Sequence, residues 1–360
     1  MPKRRLSLED EVQTYEQVKE ELRRSPRTWL VTGVAGFIGS NLMETLLELG
    51  QNVIGLDNFS SGYRRNLNEV LRECRQYRQS FKLIEGDIRD LETCRTACKG
   101  VDYVLHQGAI GSVPRSVVDP QEANAVNVDG TLNVLQAARE QHVKRVVFAS
   151  SSAVFGDCAD LPATEDRLGA PLSPYAVTKL VNEKYAEVFS RCYQLSTVGL
   201  RYFNVFGPRQ DPLGSYAAVI PHWIHALIAG EACRVNGDGE TTRDFVGVTD
   251  VVQANLLAAT AELPAAAHRV YNVGAGRRTS LNELHDMLAA ALRTLNPDQL
   301  VLRRVHADFR EGDVRHSQAD ISRIGAELKY TPAEDLTGAL EATMEWYVKR
   351  ANAAHDLVKA

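Results

Sequence analysis

The sequence lacks the cysteine and histidine spacings that are typical of metal and redox sites. None of its six cysteines belongs to a C-x-x-C pair, and the closest two are Cys94 and Cys98. Zinc ribbons and dithiol redox motifs are therefore unsupported, and we expect reduced thiols, as in a cytoplasmic protein. We predict no metal site, because the histidines near the motifs described below have no metal-ligand spacing. These histidines are His106, His222, His225 and His316.

Long apolar runs and an excess of positive charge are also missing. The N-terminal Met-Pro-Lys-Arg-Arg is not followed by the apolar segment of a secretory signal. The longest uncharged run, Pro212–Gly230, contains a proline and two histidines, whereas a membrane span needs about 20 mostly apolar residues. A formal net charge of −5 argues against a general binder of nucleic acid or anionic membranes. We therefore expect a cytoplasmic protein that has neither a nucleic-acid nor a membrane partner.

Short apolar runs alternate with amphipathic segments as far as residue 201. This alternation predicts an α/β fold with a Rossmann-like, doubly wound parallel sheet. We expect residues 1–26 to form a helical extension that begins at a Ser7 cap, and residues 27–201 to form the doubly wound domain. Residues 202–360 are expected to be mainly a smaller C-terminal substrate-binding region, some segments of which return to the first domain. The apolar runs are Trp29–Val31, Val53–Leu56, Phe81–Ile84, Val101–Leu105, Val146–Ala149 and Thr197–Leu200.

A glycine motif follows the first predicted strand. Gly33, Gly36 and Gly39 form a G-x-x-G-x-x-G that opens a predicted helix, and such a loop lets a pyrophosphate approach the helix N-terminus. The second strand ends at Asp57, 18 residues after Gly39. A carboxylate there accepts hydrogen bonds from ribose hydroxyls and repels a 2′-phosphate, so we predict NAD rather than NADP. Asp87, after the third strand, is either an ordinary turn residue or an adenine contact.

A Y-x-x-x-K motif places Tyr175 and Lys179 on one face of a predicted helix. This motif alone is common on protein surfaces, but its context here is specific. The fifth strand ends in three serines, and Ser151 lies 24 residues before Tyr175. Residues at the carboxyl ends of parallel strands line the ligand crevice of a doubly wound sheet. We therefore predict a site for proton transfer.

Together these motifs resemble the extended short-chain dehydrogenase/reductase family. Arg201-Tyr202-Phe203-Asn204 narrows the resemblance to the UDP-galactose 4-epimerase group, and further stretches are similar to bacterial UDP-N-acetylglucosamine 4-epimerases of surface-polysaccharide pathways. Two departures from the family pattern are Phe155 in place of a common tyrosine and Gly108 in place of a common alanine. The further stretches are Gly111–Ser116, Gly207–Pro212, Ser215–Pro221 and Gly312–Ser317.

The resemblance implies an oxidation at C4 of a UDP-sugar and return of the hydride to the opposite face. Tyr175 would be the base, and Ser151 would bond the same sugar oxygen. Lowering the tyrosine pKa of about 10 by ~3 units takes about 4 kcal/mol. One cation ~4 Å away supplies this at an effective dielectric of about 20, and Lys179 and the nicotinamide ring are the available cations. Related dehydratases carry acidic residues where Ser152 and Ala153 stand, so elimination is not expected.

The resemblance also implies the contacts of the cofactor, of the substrate and of a second subunit. The helices near 119–141 and 173–194 resemble those that form the homodimer bundle of this family. The NAD contacts are Gly33, Gly36, Phe37, Ile38, Gly39, Asp57, Asn58, Asp87, Ile88, Gln107, Asn127, Ser150, Tyr175, Lys179, Tyr202 and Phe203. The UDP-sugar contacts are Ser112, Ser151, Ser152, Tyr175, Asn204, Ala218, Val219, Arg243, Arg310, Asp313 and Ser317. The alternative for Asn127 is a buried, satisfied polar side chain.

The choice of sugar is expected to depend on Ser317. In many epimerases restricted to glucose and galactose this position is tyrosine, which fills the space of a 2-acetamido group. A serine leaves that space open, so we predict C4 epimerisation of UDP-GlcNAc to UDP-GalNAc. Epimerisation of UDP-N-acetylglucosaminuronate remains the principal alternative at this stage. A non-catalytic dinucleotide-binding sensor is a remote one, because such proteins typically lose the tyrosine or the lysine.

Overall fold

The computed structural model describes residues 12–213, 218–264, 266–297, 303–309, 314–332 and 335–359, with side chains described as far as residue 352. The strands are β1 (Thr28–Thr32), β2 (Asn52–Asp57), β3 (Phe81–Glu85), β4 (Tyr103–His106), β5 (Arg145–Ser151), β6 (Thr197–Tyr202), β7 (Asn204–Phe206), β8 (Cys233–Asn236), β9 (Thr242–Arg243), β10 (Phe245–Gly247), β11 (His268–Val273), β12 (Thr279–Ser280) and β13 (Arg304–Ala307). The helices are α1 (Tyr15–Arg24), α2 (Phe37–Glu48), α3 (Arg64–Glu73), α4 (Leu91–Cys98), α5 (Val113–Val118), α6 (Pro120–Asn124), α7 (Gly130–Glu140), α8 (Pro174–Tyr193), α9 (Val219–Ala229), α10 (Val248–Thr260), α11 (Leu281–Leu295), α12 (Ser322–Leu328) and α13 (Leu336–Lys359).

The central feature is a parallel sheet of seven strands in the order β11-β6-β5-β4-β1-β2-β3. This confirms the predicted Rossmann-like α/β fold. The strand order reverses direction between β1 and β4, where Thr32 pairs with His106. The loops that leave these two strands turn to opposite sides, which opens a crevice at the carboxyl edge of the sheet.

Both faces of this sheet are covered, which explains the continuous apolar runs of its strands. One core cluster contains Trp29, Val31 and Tyr271, and the other contains Leu30, Val104 and Phe148. β11 comes from the C-terminal half of the chain, yet it pairs with β6 along its whole length. The segment 268–273 is therefore part of the sheet.

The N-terminal segment forms the helix α1, which is capped by Thr14 and Gln17 in a reciprocal capping box. Val18 and Leu22 are buried against the main core. The Gln51 amide nitrogen donates to the carbonyls of Leu22 (2.8 Å) and Leu49 (2.9 Å) and so fastens α1 to the sheet domain. The predicted Ser7 cap lies outside the described residues.

The helical segment predicted over 119–141 is interrupted in the structure. Asp119 caps α6 by accepting from the Glu122 amide at 2.9 Å, but the chain then widens into a single π-helical turn at Ala125–Asp129 before α7 begins. The segment predicted at 173–194 is one unbroken helix, α8, with a Ser173 cap. A periodic apolar pattern predicts helix but does not resolve such a local change of pitch.

The remaining elements form short pairs, β7 with β10, β8 with β13 and β9 with β12. Their core includes Trp223, Leu288 and Leu340 from α9, α11 and α13. β7 follows β6 after a single residue, so this region lies beside the carboxyl edge of the sheet. Within the described residues, no helix combines the length and apolar character needed to cross a bilayer.

Candidate functional site

A cavity of about 1020 Å³ lies at the carboxyl edge of the sheet, where the loops after β1, β2, β3, β4, β5 and β6 converge. Every predicted site residue that the structure describes, except Asn127, lines it. These residues are Gly33, Gly36, Phe37, Ile38, Gly39, Asp57, Asn58, Asp87, Ile88, Gln107, Ser112, Ser150, Ser151, Ser152, Tyr175, Lys179, Tyr202, Phe203, Asn204, Ala218, Val219, Arg243 and Ser317. Arg310 and Asp313 lie outside the described residues.

The glycine loop forms a cradle that only glycine permits. Gly33 has φ +67°, and a Cβ added to Gly39 would lie 2.1 Å from the Gly33 carbonyl oxygen. Without side chains at these positions, the backbone at the start of α2 faces the cavity. A helix N-terminus of this kind favours a phosphate group. The cradle therefore fits the pyrophosphate of a dinucleotide.

Asp57 orients this loop and borders the adjacent part of the cavity. Its carboxylate accepts from the Ala35 and Phe59 amides, both at 2.8 Å. Burial raises the pKa of Asp57, and the two amide bonds oppose that rise. Each carboxylate oxygen has a further lone pair, so Asp57 fits as the acceptor of ribose hydroxyls.

Asp87 is fixed on the same side of the cavity. Bonds from the Arg89 guanidinium (Nε at 3.0 Å, NH2 at 2.7 Å) and from Asn58 Nδ2 (2.8 Å) hold it. The Arg89 side chain is the main reason that the pKa of Asp87 falls to about 2. Asp87 also accepts from the Arg89 amide at 2.8 Å, as a turn aspartate does, and it lines the cavity, so its contact with adenine stays a prediction.

Asn127 stands behind the cavity wall. It is fully buried, accepts from the Ile110 amide at 2.8 Å and donates to the Ile110 carbonyl at 3.1 Å. It also donates to Thr178 at 3.1 Å. This geometry matches the alternative of a satisfied polar side chain, which positions cavity-lining Ile110, and a direct contact of Asn127 with the cofactor stays a prediction.

β5 and α8 bring together the three residues predicted for proton transfer. Ser151 ends β5, and its hydroxyl accepts from the Ala153 amide at 3.1 Å. Tyr175 lies in the first turn of α8 and shares a hydrogen bond with Ser151. Lys179 lies one turn later, and its ammonium donates to the Ala149 carbonyl at 2.8 Å. Hydroxyl, phenol and ammonium thus meet at one wall of the cavity.

Burial dominates the charges of this wall in the protein alone. Burial raises the pKa of Tyr175 and outweighs the bond with Ser151, which lowers it. Lys179 Nζ lies 5.8 Å from the Tyr175 ring centroid and donates to the main chain. Burial also lowers the pKa of Lys179 to about 8, which leaves it protonated near neutral pH. The expected cations were Lys179 and the nicotinamide ring together, and their combined effect on Tyr175 stays a prediction.

A buried ion pair supports this wall, and the sequence analysis missed it. Glu183 accepts from Arg201 Nε (2.9 Å) and NH2 (2.8 Å), and from the Ser150 hydroxyl (2.5 Å). Both charged side chains are about 5% exposed or less. The position of Glu183, four residues after Lys179 on one helix face, was the available signal. The pair holds Ser150 beside Ser151.

A second network fixes the inner end of the cavity. The Tyr202 hydroxyl donates to Gln107 Oε1 at 3.2 Å and accepts from Asn255 Nδ2 at 2.8 Å. Gln107 Nε2 completes the triangle by donating to Asn255 Oδ1 at 3.2 Å. Asn255 lies on α10, far away in sequence, and no local pattern marked it. Gln107 and Tyr202 therefore reach the cavity in a fixed orientation.

The opposite wall comes from the short strand pairs. Arg243 NH1 donates to the Thr242 carbonyl (2.9 Å), and the Ser317 amide donates to the same oxygen (3.2 Å). Asp244 accepts from the amides of Ala275 (2.7 Å), Gly276 (3.1 Å) and Ala319 (3.0 Å), which holds the 317–319 segment against β9. Among the further lining residues, the sequence analysis did not anticipate Trp223, Arg234 and Asn236.

The described residues of this cavity do not form a set of metal ligands. Among the side chains that the structure describes, no three histidine, cysteine or acidic residues are grouped so that they could hold an ion. The donors that line the cavity include hydroxyls, amides, arginines, one lysine and the rings of His222, Trp223 and His316. These groups suit a nucleotide and a sugar.

Comparison with known proteins gives relatives over almost the whole chain. Residues 29–274 match the NAD dependent epimerase/dehydratase family. The UDP-glucose 4-epimerase of Mycolicibacterium smegmatis is 38% identical over 320 residues, which are 88% of this chain and 97% of that protein.

Solved structures agree with this comparison. The UDP-N-acetylglucosamine 4-epimerase of Methanobrevibacter ruminantium, in complex with UDP-N-acetylmuramic acid, is 36% identical with a TM-score of 0.82, and the match covers 90% of this chain and 99% of that one. The UDP-glucuronic acid 4-epimerase of Bacillus cereus, with UDP-glucuronic acid and NAD, is 28% identical with a TM-score of 0.78, and the match covers 89% and 99%.

Proposed function

Because the chain belongs to the NAD-dependent epimerase/dehydratase family, and within it to the UDP-sugar 4-epimerases, we propose that it interconverts UDP-GlcNAc and UDP-GalNAc. Its cofactor is NAD. The product would supply the synthesis of a surface polysaccharide. The observation that carries the choice of sugar is the small Ser317 side chain in the cavity wall.

The chain's own residues would manage the proton at the sugar C4 oxygen. Bound NAD would supply reversible hydride transfer at C4 and a positively charged nicotinamide ring. Tyr175 takes the hydroxyl proton as hydride leaves, and Ser151, bonded to the same phenol, orients that oxygen. The bond to the Ala149 carbonyl fixes the Lys179 ammonium, which would then bind a hydroxyl of the cofactor.

Ser317 supports an N-acetylated substrate. Its amide is bonded to the Thr242 carbonyl, so it is anchored beside Arg243, which is proposed to bind the diphosphate. A serine at this anchored position leaves space that a larger side chain would fill. An acetamido group on C2 is the substituent that this space would admit.

The charge distribution favours a neutral sugar over a uronate. The arginines that line the cavity, Arg234 and Arg243, belong to β8 and β9, which we propose to bind the nucleotide part of the substrate. On the sheet side the wall presents the hydroxyls of Ser112, Ser151 and Ser152. A carboxylate at C6 gains most from a bidentate guanidinium, and none of the described residues provides one there.

The substrate assignment can be tested by product analysis. Purified protein is incubated with UDP-glucose, UDP-GlcNAc and UDP-N-acetylglucosaminuronate, and the products are compared by NMR. We expect kcat/KM to be highest for UDP-GlcNAc. Preferred turnover of the uronate would refute the neutral-sugar proposal, and no turnover of any UDP-sugar would favour a non-catalytic binding protein.

The role of Ser317 has its own variant and matched control. Ser317→Tyr should lower kcat/KM for UDP-GlcNAc by about 5- to 150-fold, because overpacking costs ~1–3 kcal/mol. It should leave UDP-glucose turnover unchanged. Ser317→Ala, which keeps the space open, should retain both activities. Equal losses on both substrates in the tyrosine variant would show that this position is not the gate.

We further propose that the protein is a cytoplasmic homodimer. α5 and α8 expose apolar side chains on their outer surfaces: Val117, Val118, Val177, Tyr185 and Val188. A second copy of the chain would cover them by packing helix against helix. All six cysteines are free thiols, which suits a reducing compartment. Light scattering on the purified protein should report the mass of two chains.

A further inference from the structure

Two loops flank the start of α2, where the pyrophosphate cradle lies. Residues 58–63 follow β2, and residues 207–213 follow β7. Both border the same cavity, the first through Ser60, Ser61 and Gly62 and the second through Gln210. Together they form opposite rims beside the glycine cradle.

The 58–63 loop is fastened to the glycine loop itself. The Tyr63 amide donates to the Ala35 carbonyl at 3.0 Å, and Asn66 Nδ2 donates to the same oxygen at 2.9 Å. Phe59 takes the left-handed conformation with φ 58°, and its amide is held by Asp57 at 2.8 Å. The loop therefore has one defined path along the cavity rim.

The 207–213 loop is fastened to the outer side of α2. Arg209, which is 5% exposed and has φ 68°, donates to Ser40 Oγ at 3.1 Å and to Asn41 Oδ1 at 2.8 Å. It also pairs with Glu44. Asn41 Nδ2 in turn donates to the Pro208 carbonyl at 3.2 Å. Both loops are thus anchored to the same phosphate-binding element.

One side-chain bond joins the two rims. The Tyr63 hydroxyl donates to Asp211 Oδ2 at 2.6 Å, across 148 residues of sequence. Asp211 is itself held, because its other oxygen accepts from the Leu213 amide at 3.1 Å. Tyr63 follows the cavity-lining Gly62, and Asp211 follows the cavity-lining Gln210. The bond therefore spans the groove next to the cradle.

We propose that the Tyr63–Asp211 bond is a clasp that closes the two loops over the pyrophosphate of NAD and slows its release. An epimerase regenerates its NAD in each catalytic cycle and does not need to release it. A closed rim would therefore keep NAD bound between turnovers. The bond lies at the surface, where local opening requires breaking this contact but not the core. The proposal rests on NAD as cofactor and is independent of which sugar is used.

The test measures cofactor release rather than turnover. Full-length protein is loaded with NADH, mixed with excess NAD, and followed by the loss of protein-bound NADH fluorescence. Tyr63→Phe removes the donor and keeps the ring, so we expect release about 10-fold faster, since a bond to a carboxylate is among the stronger hydrogen bonds. Tyr193→Phe is the control: Tyr193 is 44% exposed against 37% for Tyr63 and does not line the cavity, so its variant should release NADH at the wild-type rate.

A double-variant cycle separates a clasp from a general structural effect. Asp211→Ala should accelerate release as much as Tyr63→Phe, and the double variant should be no faster than either single one. An unchanged release rate in Tyr63→Phe, or additive effects in the double variant, would overturn the clasp. UDP-sugar product analysis is read separately, so a wrong sugar assignment leaves this result unaffected.

Discussion

Replacing Glu183 by glutamine should destabilise the protein strongly. The Glu183 carboxylate is the ionic partner of Arg201, and both side chains are about 5% exposed or less. Glutamine keeps the shape of the side chain but leaves the buried guanidinium charge without a counter-charge. Breaking one partner of a buried pair costs about 3–5 kcal/mol.

The expected shift in melting temperature follows from the size of the chain. With an unfolding entropy of ~2.1 cal/mol/K per residue, 360 residues give roughly 0.76 kcal/mol/K. A loss of 3–5 kcal/mol therefore lowers Tm by about 4–7 °C. Thermal unfolding followed by circular dichroism at pH 7, with NAD present in every sample, measures this shift.

Glu187→Gln is the matched control on the same helix. Glu187 pairs with Arg191 and with Lys184 on the same helix, but the three side chains are 35%, 71% and 68% exposed. Two exposed pairs together contribute about 0.4–2 kcal/mol, so Tm should fall by less than about 3 °C. Replacing both Glu183 and Arg201 by methionine should recover part of the loss, because no unpaired charge then remains. If the Glu183→Gln protein has the same Tm as the Glu187→Gln control, the claim that the Glu183–Arg201 pair stabilises the fold is refuted.

Two further predictions concern the proton-transfer wall and the histidine beneath the cradle. Tyr175→Phe should lower kcat by at least about 10²-fold while NADH fluorescence titration shows unchanged binding, and near-normal turnover would remove Tyr175 as the base. Burial lowers the pKa of His106 to about 3, below its ordinary 6.5, so the unfolded chain binds the proton first and stability falls as pH drops below 6.5. In urea titrations between pH 6 and 4, His106→Gln should reduce the loss of unfolding free energy by about 1.4 kcal/mol per pH unit relative to wild type. Parallel pH dependences would contradict the buried neutral imidazole.

The sheet was predictable because its strands are buried on both faces and therefore appear in the sequence as short apolar runs. The glycine loop was predictable for a similar local reason, since the cradle at Gly33 and Gly39 tolerates no Cβ. The sequence analysis expected some C-terminal segments to return to the first domain, but it could not specify β11 or its partner strand. β11 pairs with β6 across 71 residues from Thr197 to His268, and nothing local specifies a partner so distant.

The polar contacts behind the site show where sequence reasoning ends. Ser150, Asn127 and Gln107 were assigned to the cofactor from resemblance, yet each has protein partners that depend on the assembled fold. Ser150 binds Glu183 from α8, and Gln107 binds Asn255 from α10. The family resemblance predicted that these side chains lie near the site. Only the tertiary structure shows which of them face the cavity and which hold its wall.

The charge state of Tyr175 depends on both the protein and the cofactor. The sequence argument placed a cation about 4 Å from the phenol and omitted the cost of burial. In the structure burial dominates, and Lys179 is bonded to the Ala149 carbonyl. As the proposed base, Tyr175 would therefore need a further positive charge beside it. Bound NAD would supply that charge in its oxidised form and not in its reduced form, so deprotonation of the sugar would be favoured only when the cofactor can accept the hydride. Burial of Tyr175 would thereby couple the two halves of the proposed reaction.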